Sequence, residues 1–275
     1  TMVIDTKFFI ICYMNILVFI PCYNCSNEID TLTQRLAKID KHKHNFSYLF
    51  IDNDSSDNTL EQIFESIKKY KIDNCLVFKN KKNYGVGGSH KIAFYKAIED
   101  SYDFILVLHG DAESDPRDIE KVLKHNILND FSGILGSRFL KDSIRINYSF
   151  LRTAGNIIIN YIYSFFLKQR ISDLGSGLNF YSTKFLKCID FESFSDEHNF
   201  SHYVLLSLIV RKERIHFFPI KWYQEEQKSN VNILKIGLQS LSVLPKYILY
   251  RYKLVNEAKN TAKKINREYD VKKLY

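Results

Sequence analysis

Long apolar runs are missing from this 275-residue sequence, which argues against a segment that crosses a membrane. The longest nearly unbroken apolar run covers residues 8–20, whereas a spanning helix needs about 20 apolar residues. No secretory signal is expected, because Asp5 and Lys7 precede that run and no small-residue cleavage site follows it. We therefore expect a cytoplasmic protein.

Cysteine, glycine and proline are also scarce, with 5, 10 and 4 residues respectively. The odd number of cysteines fits a reducing compartment. Cys22 and Cys25 form a C-x-x-C pair, but no second pair completes a zinc site, so we expect the two thiols to pack in the core. The 45% hydrophobic content excludes disorder as the main state.

Positive charge is in excess, and it is unevenly distributed. The net charge is +8, and residues 246–273 hold nine Lys or Arg against three acids. Apolar and basic residues alternate between 233 and 251, as is typical of an amphipathic helix on an anionic membrane surface. The alternatives are a solvated tail, packing against the rest of the chain, or self-association into a homo-oligomer.

Short apolar runs at 16–20, 48–51, 76–78 and 104–108 predict buried strands, with amphipathic helices between them. This alternation predicts an α/β fold with a mostly parallel sheet flanked by helices. Ligands bind such sheets at the carboxyl ends of the strands. Three of those ends carry polar side chains, which are Asn24, Asp52 with Asp54, and Asp111.

A row of carboxylates and amides at strand ends suits a nucleotide whose diphosphate is bound to a metal ion. The common nucleotide motifs are absent: there is no G-x-x-x-x-G-K-[ST], and residues 85–88 are not a G-x-G-x-x-G after the first strand. The sequence therefore gives little support for an ATPase or a dinucleotide-dependent oxidoreductase.

Six segments, taken in order, resemble family 2 glycosyltransferases of the GT-A (Rossmann-like) fold. They are residues 18–24, 51–59, 83–89, 108–116, 136–139 and 172–177. The last two resemble the branch of dolichyl-phosphate mannosyltransferases and bacterial surface-polysaccharide glycosyltransferases. The resemblance covers about residues 15–230, which leaves residues 1–14 as an N-terminal extension and 231–275 as a basic, helical C-terminal tail.

The resemblance implies a nucleotide-binding set and a metal site. The nucleotide-binding residues would be Pro21, Tyr23, Asn24, Asp52, Asp54, Gly85, Gly110 and Asp111. Asp111 would be the principal ligand of Mg²⁺ or Mn²⁺, with Glu113 as a second oxygen ligand. His109 departs from the commonest family pattern, which has an Asp at that position, and the lost charge should weaken metal binding.

The resemblance also implies an acceptor site, in which Arg138, Arg152 and Asn156 would hold the phosphate of a polyprenyl phosphate. Such a phosphate is ionised near pH 7 and needs no strong general base. A sugar hydroxyl does need one. Asp196 and Glu197 are the candidates for it, and Asp173 is either a rival base or a residue that shapes the acceptor site.

The expected activity is metal-dependent, inverting transfer of a sugar from a nucleoside diphosphate sugar to a lipid-linked acceptor. The acceptor is polyprenyl phosphate or a lipid-linked glycan, in surface polysaccharide or glycolipid synthesis. Such an enzyme would be peripheral at the inner face of the cell membrane, with no nucleic-acid partner. The alternatives are a non-catalytic nucleotide-sugar-binding protein and a sugar nucleotidyltransferase. The latter usually needs a glycine-rich basic loop after the first strand, which is absent here.

Overall fold

The computed structural model describes residues 13–125, 127–224, 240–245 and 269–275. Most of the expected N-terminal extension, the amphipathic segment and the basic tail therefore lie outside the described residues. Residues 240–245 are helical, and Val243 and Leu244 are buried in the core. This short part of the amphipathic segment packs against the rest of the chain. Within the described residues, no helix has both the length and the hydropathy needed to cross a bilayer.

The first half of the chain alternates strands and helices, as predicted. The elements are β1 (Asn15–Cys22), α1 (Ser26–Leu36), β2 (Asn45–Asp52), α2 (Thr59–Tyr70), β3 (Cys75–Asn80), α3 (Gly85–Glu99) and β4 (Phe104–Leu108). The four strands pair in parallel in the order β3-β2-β1-β4. Their carboxyl ends therefore meet at one edge of the sheet.

The second half extends this sheet and adds a small one beside it. The elements are α4 (Glu120–Lys124), β5 (Gly133–Ser137), β6 (Ile144–Ile146), α5 (Phe150–Leu167), β7 (Leu178–Ser182), α6 (Thr183–Leu186), α7 (Phe200–Val210), β8 (Ile215–Pro219), β9 (Lys221–Tyr223) and β10 (Val271–Lys273). The main sheet has the order β10-β3-β2-β1-β4-β7-β5-β8, and β6 pairs with β9.

The main sheet is mostly parallel, with β7 antiparallel to both of its neighbours and β10 antiparallel to β3. The predicted fold class is confirmed. One detail differs, because residues 271–273 form a strand inside the segment predicted to be helical. The unpaired edge of β3 explains the difference, since backbone groups on an edge strand are free to pair with another strand.

Apolar layers cover both faces of the sheet. Because neighbouring strand residues point to opposite faces, Val18 contributes to the layer under α1 and α2, whereas Phe19 packs in the other layer with Phe94 of α3 and Leu205 of α7. A strand buried on both faces needs a continuous apolar run rather than an alternating one. This is why residues 16–20 are all apolar. The burial of the strands also fixes the position of the loops that follow them.

Candidate active site

The loops after β1 and β2 are locked together by Asn24. Its backbone has a left-handed conformation (φ 48°). Its backbone N–H donates to Ser55 Oγ at 3.0 Å, and its side-chain Oδ1 accepts from the Ser56 N–H at 2.8 Å. Tyr23 is exposed beside it. Of these two predicted nucleotide-binding residues, Asn24 holds the loop in place and Tyr23 presents its ring at the sheet edge.

Asp52 is fully buried at the end of β2. Its Oδ1 accepts from the Ser55 N–H at 3.2 Å, but its Oδ2 has no hydrogen-bond partner among the described residues. Leaving a buried acceptor unsatisfied is costly, so such an atom requires an explanation. Asp54 differs, because it is exposed and has a left-handed backbone (φ 63°).

Asn53 joins the loops after β2 and β3, and the sequence analysis did not single it out. Its Nδ2 donates to Asn83 Oδ1 at 2.8 Å, and its Oδ1 accepts from Asn80 Nδ2 at 2.7 Å and from the Tyr84 N–H at 3.0 Å. These bonds hold the two loops together, although the buried Asn80 Oδ1 has no hydrogen-bond partner among the described residues. The available signal was the repetition of asparagine at two adjacent strand ends.

Gly85 and Gly87 let the loop before α7 approach the start of α3 closely. A Cβ on Gly85 (φ 73°) would lie 2.4 Å from the carbonyl oxygen of Asp196. The Gly87 N–H donates to that same oxygen at 2.7 Å. The structure thus places Gly85, a predicted nucleotide-binding residue, in contact with the loop that holds the predicted base.

The two candidate bases have different surroundings. The Asp196 carboxylate lies 2.7 Å from Lys91 Nζ and accepts from the Tyr269 hydroxyl at 2.8 Å. Lys91 is only 4% exposed and also donates to the Phe194 carbonyl at 2.6 Å. Glu197, the next residue after Asp196, is exposed to solvent. The sequence analysis did not identify Lys91, which sits in a helix among apolar residues.

Gly110 allows the turn after β4 to touch the end of β1. A Cβ there would lie 2.9 Å from the Pro21 carbonyl oxygen and 3.1 and 3.2 Å from the sulfurs of Cys22 and Cys25. Both cysteines are buried and free, in keeping with the packing role expected for them. Asp111 is held at the sheet edge by this close approach.

Asp111 and Glu113 supply the carboxylates predicted to bind a metal. Asp111 Oδ1 accepts from the Glu113 N–H at 3.1 Å, and the intervening Ala112 is left-handed (φ 53°). Among the described residues, no group of three or more His, Cys, Asp or Glu side chains is arranged around a common point. Mg²⁺ is commonly bound by one or two carboxylates together with substrate phosphates, so these hard oxygen donors fit such an ion.

His109 lies beside Asp111, with Nδ1 3.9 Å from Asp111 Oδ2. Burial lowers the pKa of His109 below its usual value of 6.5, although the Asp111 carboxylate acts to raise it. The imidazole is therefore neutral at pH 7. Its ring packs against Gly177 (φ 68°), where a Cβ would lie 3.0 Å from it. His109 thus occupies space beside the carboxylates without adding charge.

Arg138 and Asp173 form a buried, two-pronged ion pair. Arg138 Nε and Nη2 each lie 2.8 Å from a different oxygen of Asp173, and the Arg138 backbone N–H donates to Oδ2 at 3.0 Å. The two side chains are 9% and 1% exposed. Burial acts to lower the pKa of Arg138, but Asp173 raises it above its ordinary value. Both oxygens of Asp173 are engaged in this pair.

Tyr148 connects the predicted acceptor residues. Its hydroxyl oxygen accepts from Asn156 Nδ2 at 2.9 Å and lies 3.4 Å from Arg138 Nη1. Asn156 also donates to the Arg152 carbonyl at 2.8 Å, and Arg152 is partly exposed in the first turn of α5. With two donors directed at its oxygen, the Tyr148 hydroxyl keeps its own proton for a further acceptor. The sequence analysis did not identify Tyr148.

The acceptor cluster and the metal carboxylates are linked through β9. The Trp222 ring lies 4.8 Å from the Arg138 guanidinium, and the N–H of the adjacent Tyr223 donates to the Glu113 carbonyl at 2.7 Å. Nucleotide-binding, metal-binding and acceptor-binding candidates therefore adjoin one another along one edge of the sheet.

This arrangement is that of an α/β protein with polar side chains gathered at its strand ends, and comparison with known proteins specifies it further. A family model described as glycosyl transferase family 2 matches residues 17–190. The chain belongs to this family, as the motifs predicted.

Two relatives have names that include dolichyl or dolichol phosphate. The chain is 25% identical over 236 residues to the UDP-N-acetylglucosamine–dolichyl-phosphate N-acetylglucosaminyltransferase of Methanococcus voltae, covering 82% of this chain and 92% of that protein. It is 29% identical over 141 residues to the dolichol-phosphate mannosyltransferase of Pyrococcus furiosus, covering 50% of this chain and 37% of that one.

Solved structures share the fold. S. aureus TarS in complex with UDP-GlcNAc superposes with a TM-score of 0.58 at 19% identity, covering 90% of this chain and 72% of that one. Glucosyl-3-phosphoglycerate synthase from Mycobacterium tuberculosis, in complex with Mn²⁺, UDP and its product, gives 0.60 at 12% identity, covering 86% and 80%. These similarities confirm the predicted GT-A architecture.

Proposed function

We propose that this protein is a metal-dependent, inverting glycosyltransferase that moves a sugar from a uridine diphosphate sugar to the phosphate of a polyprenyl phosphate. The observation that carries the proposal is the adjacency of Asp111 and Glu113 to the cluster of Arg138, Tyr148 and Asn156. The two carboxylates suit a metal ion that binds a diphosphate, and the cluster of three polar side chains suits a phosphate. The name of the Methanococcus voltae relative supports the same pairing of substrates, and the name of the Pyrococcus furiosus relative supports the lipid phosphate.

In this proposal, Asp52 binds the nucleoside. Its Oδ2 has no hydrogen-bond partner among the described residues, so it can accept a hydrogen bond from the N–H of a uracil base or from a ribose hydroxyl. Asn24 and Asn53 keep the surrounding loops in place, so the site is formed before the ligand arrives. The neighbouring structures with bound UDP or UDP-GlcNAc make uridine the first base to test.

Asp111 and Glu113 would hold Mg²⁺ or Mn²⁺ against the diphosphate. The ion would neutralise the charge that develops on the leaving group when the sugar is transferred. A neutral His109 adds no positive charge that would repel the ion. With these two carboxylates as the candidate ligands among the described residues, the nucleotide phosphates would complete the coordination shell.

The acceptor phosphate would lie against Arg138, Tyr148 and Arg152, with the Tyr148 hydroxyl donating its free proton to a phosphate oxygen. A phosphate oxygen then attacks the anomeric carbon from the side opposite the nucleotide. The bond from that carbon to the diphosphate breaks, and the diphosphate leaves with the electron pair. The acceptor is already ionised near pH 7, so no general base is required. This agrees with the engagement of Asp173 and Asp196 in ion pairs.

A lipid-linked glycan is the second candidate acceptor, because Glu197 is exposed near the site. A hydroxyl acceptor needs a base to remove its proton, and Glu197 is better exposed for this than Asp196 or Asp173. The two candidate acceptors can be distinguished, because each requires a different residue and is therefore lost in a different variant.

The test is transfer of labelled N-acetylglucosamine from its UDP donor to a short-chain polyprenyl phosphate, with Mn²⁺ present. We expect Tyr148→Phe to reduce transfer by about tenfold, the loss of roughly one hydrogen bond to a charged group, and Glu197→Gln to have little effect. Tyr70→Phe, which removes a hydroxyl bonded to Asp30 far from the site, is the matched control. Transfer only to a hydroxyl acceptor, abolished by Glu197→Gln, would replace the first candidate by the second.

A further inference from the structure

Helix α5 exposes an unusual number of large apolar side chains. Phe150, Tyr161 and Phe165 are 87%, 73% and 78% exposed. The other exposed members are Leu151, Ile158 and Phe166. Single exposed apolar residues are ordinary, whereas a contiguous apolar patch marks an interaction site. We call these six side chains the α5 stripe.

The α5 stripe occupies one side of the helix. At about 100° per residue, its six members fall within an arc of roughly 160°. Asn160, Tyr163 and Leu167, which are buried, fall in the opposite arc. Arg152 and Asn156 lie at or next to that inward side. The helix therefore presents its acceptor-binding candidates to the protein body and its aromatic side chains to the outside.

The charged residues in the segment that contains the α5 stripe have one sign. Residues 143–172 contain no Asp or Glu, but they contain Arg145, Arg152, Lys168 and Arg170. Arg145 precedes the helix and Lys168 and Arg170 follow it, and all three are exposed. An apolar stripe with basic residues at both ends and no acids is complementary to an anionic lipid surface. A protein partner of mixed charge would not require the absence of acids.

We propose that α5 is a membrane-binding helix, which lies in the plane of an anionic bilayer with the α5 stripe in the lipid. The helix is about 27 Å long at 1.5 Å per residue and carries Arg152 within its first turn, which suits a helix lying on a membrane. The inference deepens the proposed function and rests on it in one respect. It explains how a phosphate attached to a membrane lipid reaches Tyr148, which is bonded to Asn156 of this helix, and Arg138 next to it.

The test is co-sedimentation of the full chain with vesicles of phosphatidylcholine containing phosphatidylglycerol. We expect the double variant Phe150→Ser, Phe165→Ser to lower vesicle affinity by about a hundredfold, since each fully buried aromatic side chain contributes about tenfold. Tyr13→Ser removes an exposed aromatic residue outside α5 and is the control. Its affinity should equal that of the wild type.

A second variant tests the charge without touching the apolar residues. Neutralising Lys168 and Arg170 together, by Lys168→Gln and Arg170→Gln, should lower affinity for the anionic vesicles by roughly fivefold per charge. Binding to pure phosphatidylcholine vesicles should not change. If the aromatic double variant fails to fold, this charge variant still tests whether α5 binds the membrane.

Three outcomes would overturn the inference. Vesicle binding unaffected by either variant would place the membrane contact elsewhere, with the basic residues 246–273 as the next candidate. A wild-type chain that ignores vesicles but forms dimers sensitive to Phe150→Ser, Phe165→Ser would make the α5 stripe a contact between two copies. A wild-type chain that neither binds vesicles nor dimerises would leave the stripe without a role. The melting shift produced by UDP with Mn²⁺, measured on the same variants, reports separately on the proposed function.

Discussion

The ion pair between Arg138 and Asp173 is almost completely buried, and a charge left alone in such a place is strongly unfavourable. Breaking a buried pair by removing one partner typically costs about 3–5 kcal/mol. We therefore expect Asp173→Asn to lower the free energy of unfolding in urea by about 3 kcal/mol. The exposed pair between Lys69 and Asp30, also at 2.8 Å, provides the control.

Asp30→Asn should change the same free energy by less than about 1 kcal/mol, because exposed ion pairs contribute little. If the two substitutions cost the same, Arg138 is not held by Asp173 in solution, and Asp173 regains its candidacy as a base.

Asp118 provides a prediction about pH. Burial, reinforced by nearby Asp115, raises the pKa of Asp118 to about 6, although the Lys221 N–H acts to lower it. An unfolded Asp has a pKa of about 3.9. The folded state therefore holds this proton more tightly, and the group contributes stability at low pH that is lost as the pH rises from about 4 through 6.

Asp118→Asn removes this titration and keeps an acceptor for the Lys221 N–H. Relative to the wild type, the variant should gain on the order of 2 kcal/mol between pH 4 and pH 7.5. Urea unfolding at a series of pH values measures the difference. A difference between the two proteins that does not vary with pH would contradict the shifted pKa.

At the scale of the element, two glycines make opposite predictions. The turn after β4 can approach β1 only because Gly110 has no side chain, whereas a Cβ on Gly155 of α5 would meet nothing within 4 Å. Gly110→Ala should destabilise the protein by about 1–3 kcal/mol through overpacking. It should also weaken nucleotide binding, because Asp111 follows directly.

Gly155→Ala should instead stabilise by roughly 0.5–1 kcal/mol, since alanine is the better helix former. Thermal melting of both variants, with and without UDP and Mn²⁺, checks the pair. A Gly110→Ala variant with wild-type stability and wild-type nucleotide affinity would show that the turn has room that the structure does not give it.

At the scale of the whole molecule, binding of donor and metal should be visible as added stability. A ligand at 100 times its dissociation constant adds about 2.7 kcal/mol, which corresponds to a rise of roughly 5–10 °C in melting temperature for a chain of this size. We expect this rise for UDP together with Mn²⁺, and a much smaller one for either alone.

Asp111→Asn should abolish the metal-dependent part of the shift, whereas Asp142→Asn, in an exposed loop, should preserve it. A shift that survives Asp111→Asn would remove Asp111 from the metal site. The absence of a shift with every nucleotide and metal would favour a non-catalytic relative with a closed site.

The sequence predicted the sheet because its signals are local. Residues 16–20 are apolar without interruption because both faces of β1 are covered, and the polar groups after β1, β2 and β4 follow directly from where the strands stop. The sequence alone therefore places Asp52 and Asp111 at one edge of the sheet.

The contacts that organise the candidate site were not predictable in this way. Lys91 meets Asp196 and Phe194 across more than 100 positions of sequence, and nothing near Lys91 indicates a buried partner. The sequence predicts both Arg138 and Asp173 as site residues, but their pairing depends on how β5 and the loop before β7 come together. Tyr148 stands out only once Arg138 and Asn156 lie on either side of it.

The pairing of β10 with β3 has a consequence for behaviour in concentrated solution. An open strand edge is a template on which a second chain can add its own strand and start an aggregate. Here the Leu274 N–H donates to the Val77 carbonyl and the Val77 N–H donates to the Tyr275 carbonyl, so the edge of β3 is closed. The strand that closes it carries Lys272 and Lys273, and charged lysines on an outer strand discourage further pairing. If β10 detached, the exposed edge of β3 would therefore cause the protein to precipitate while the rest of the fold was still intact.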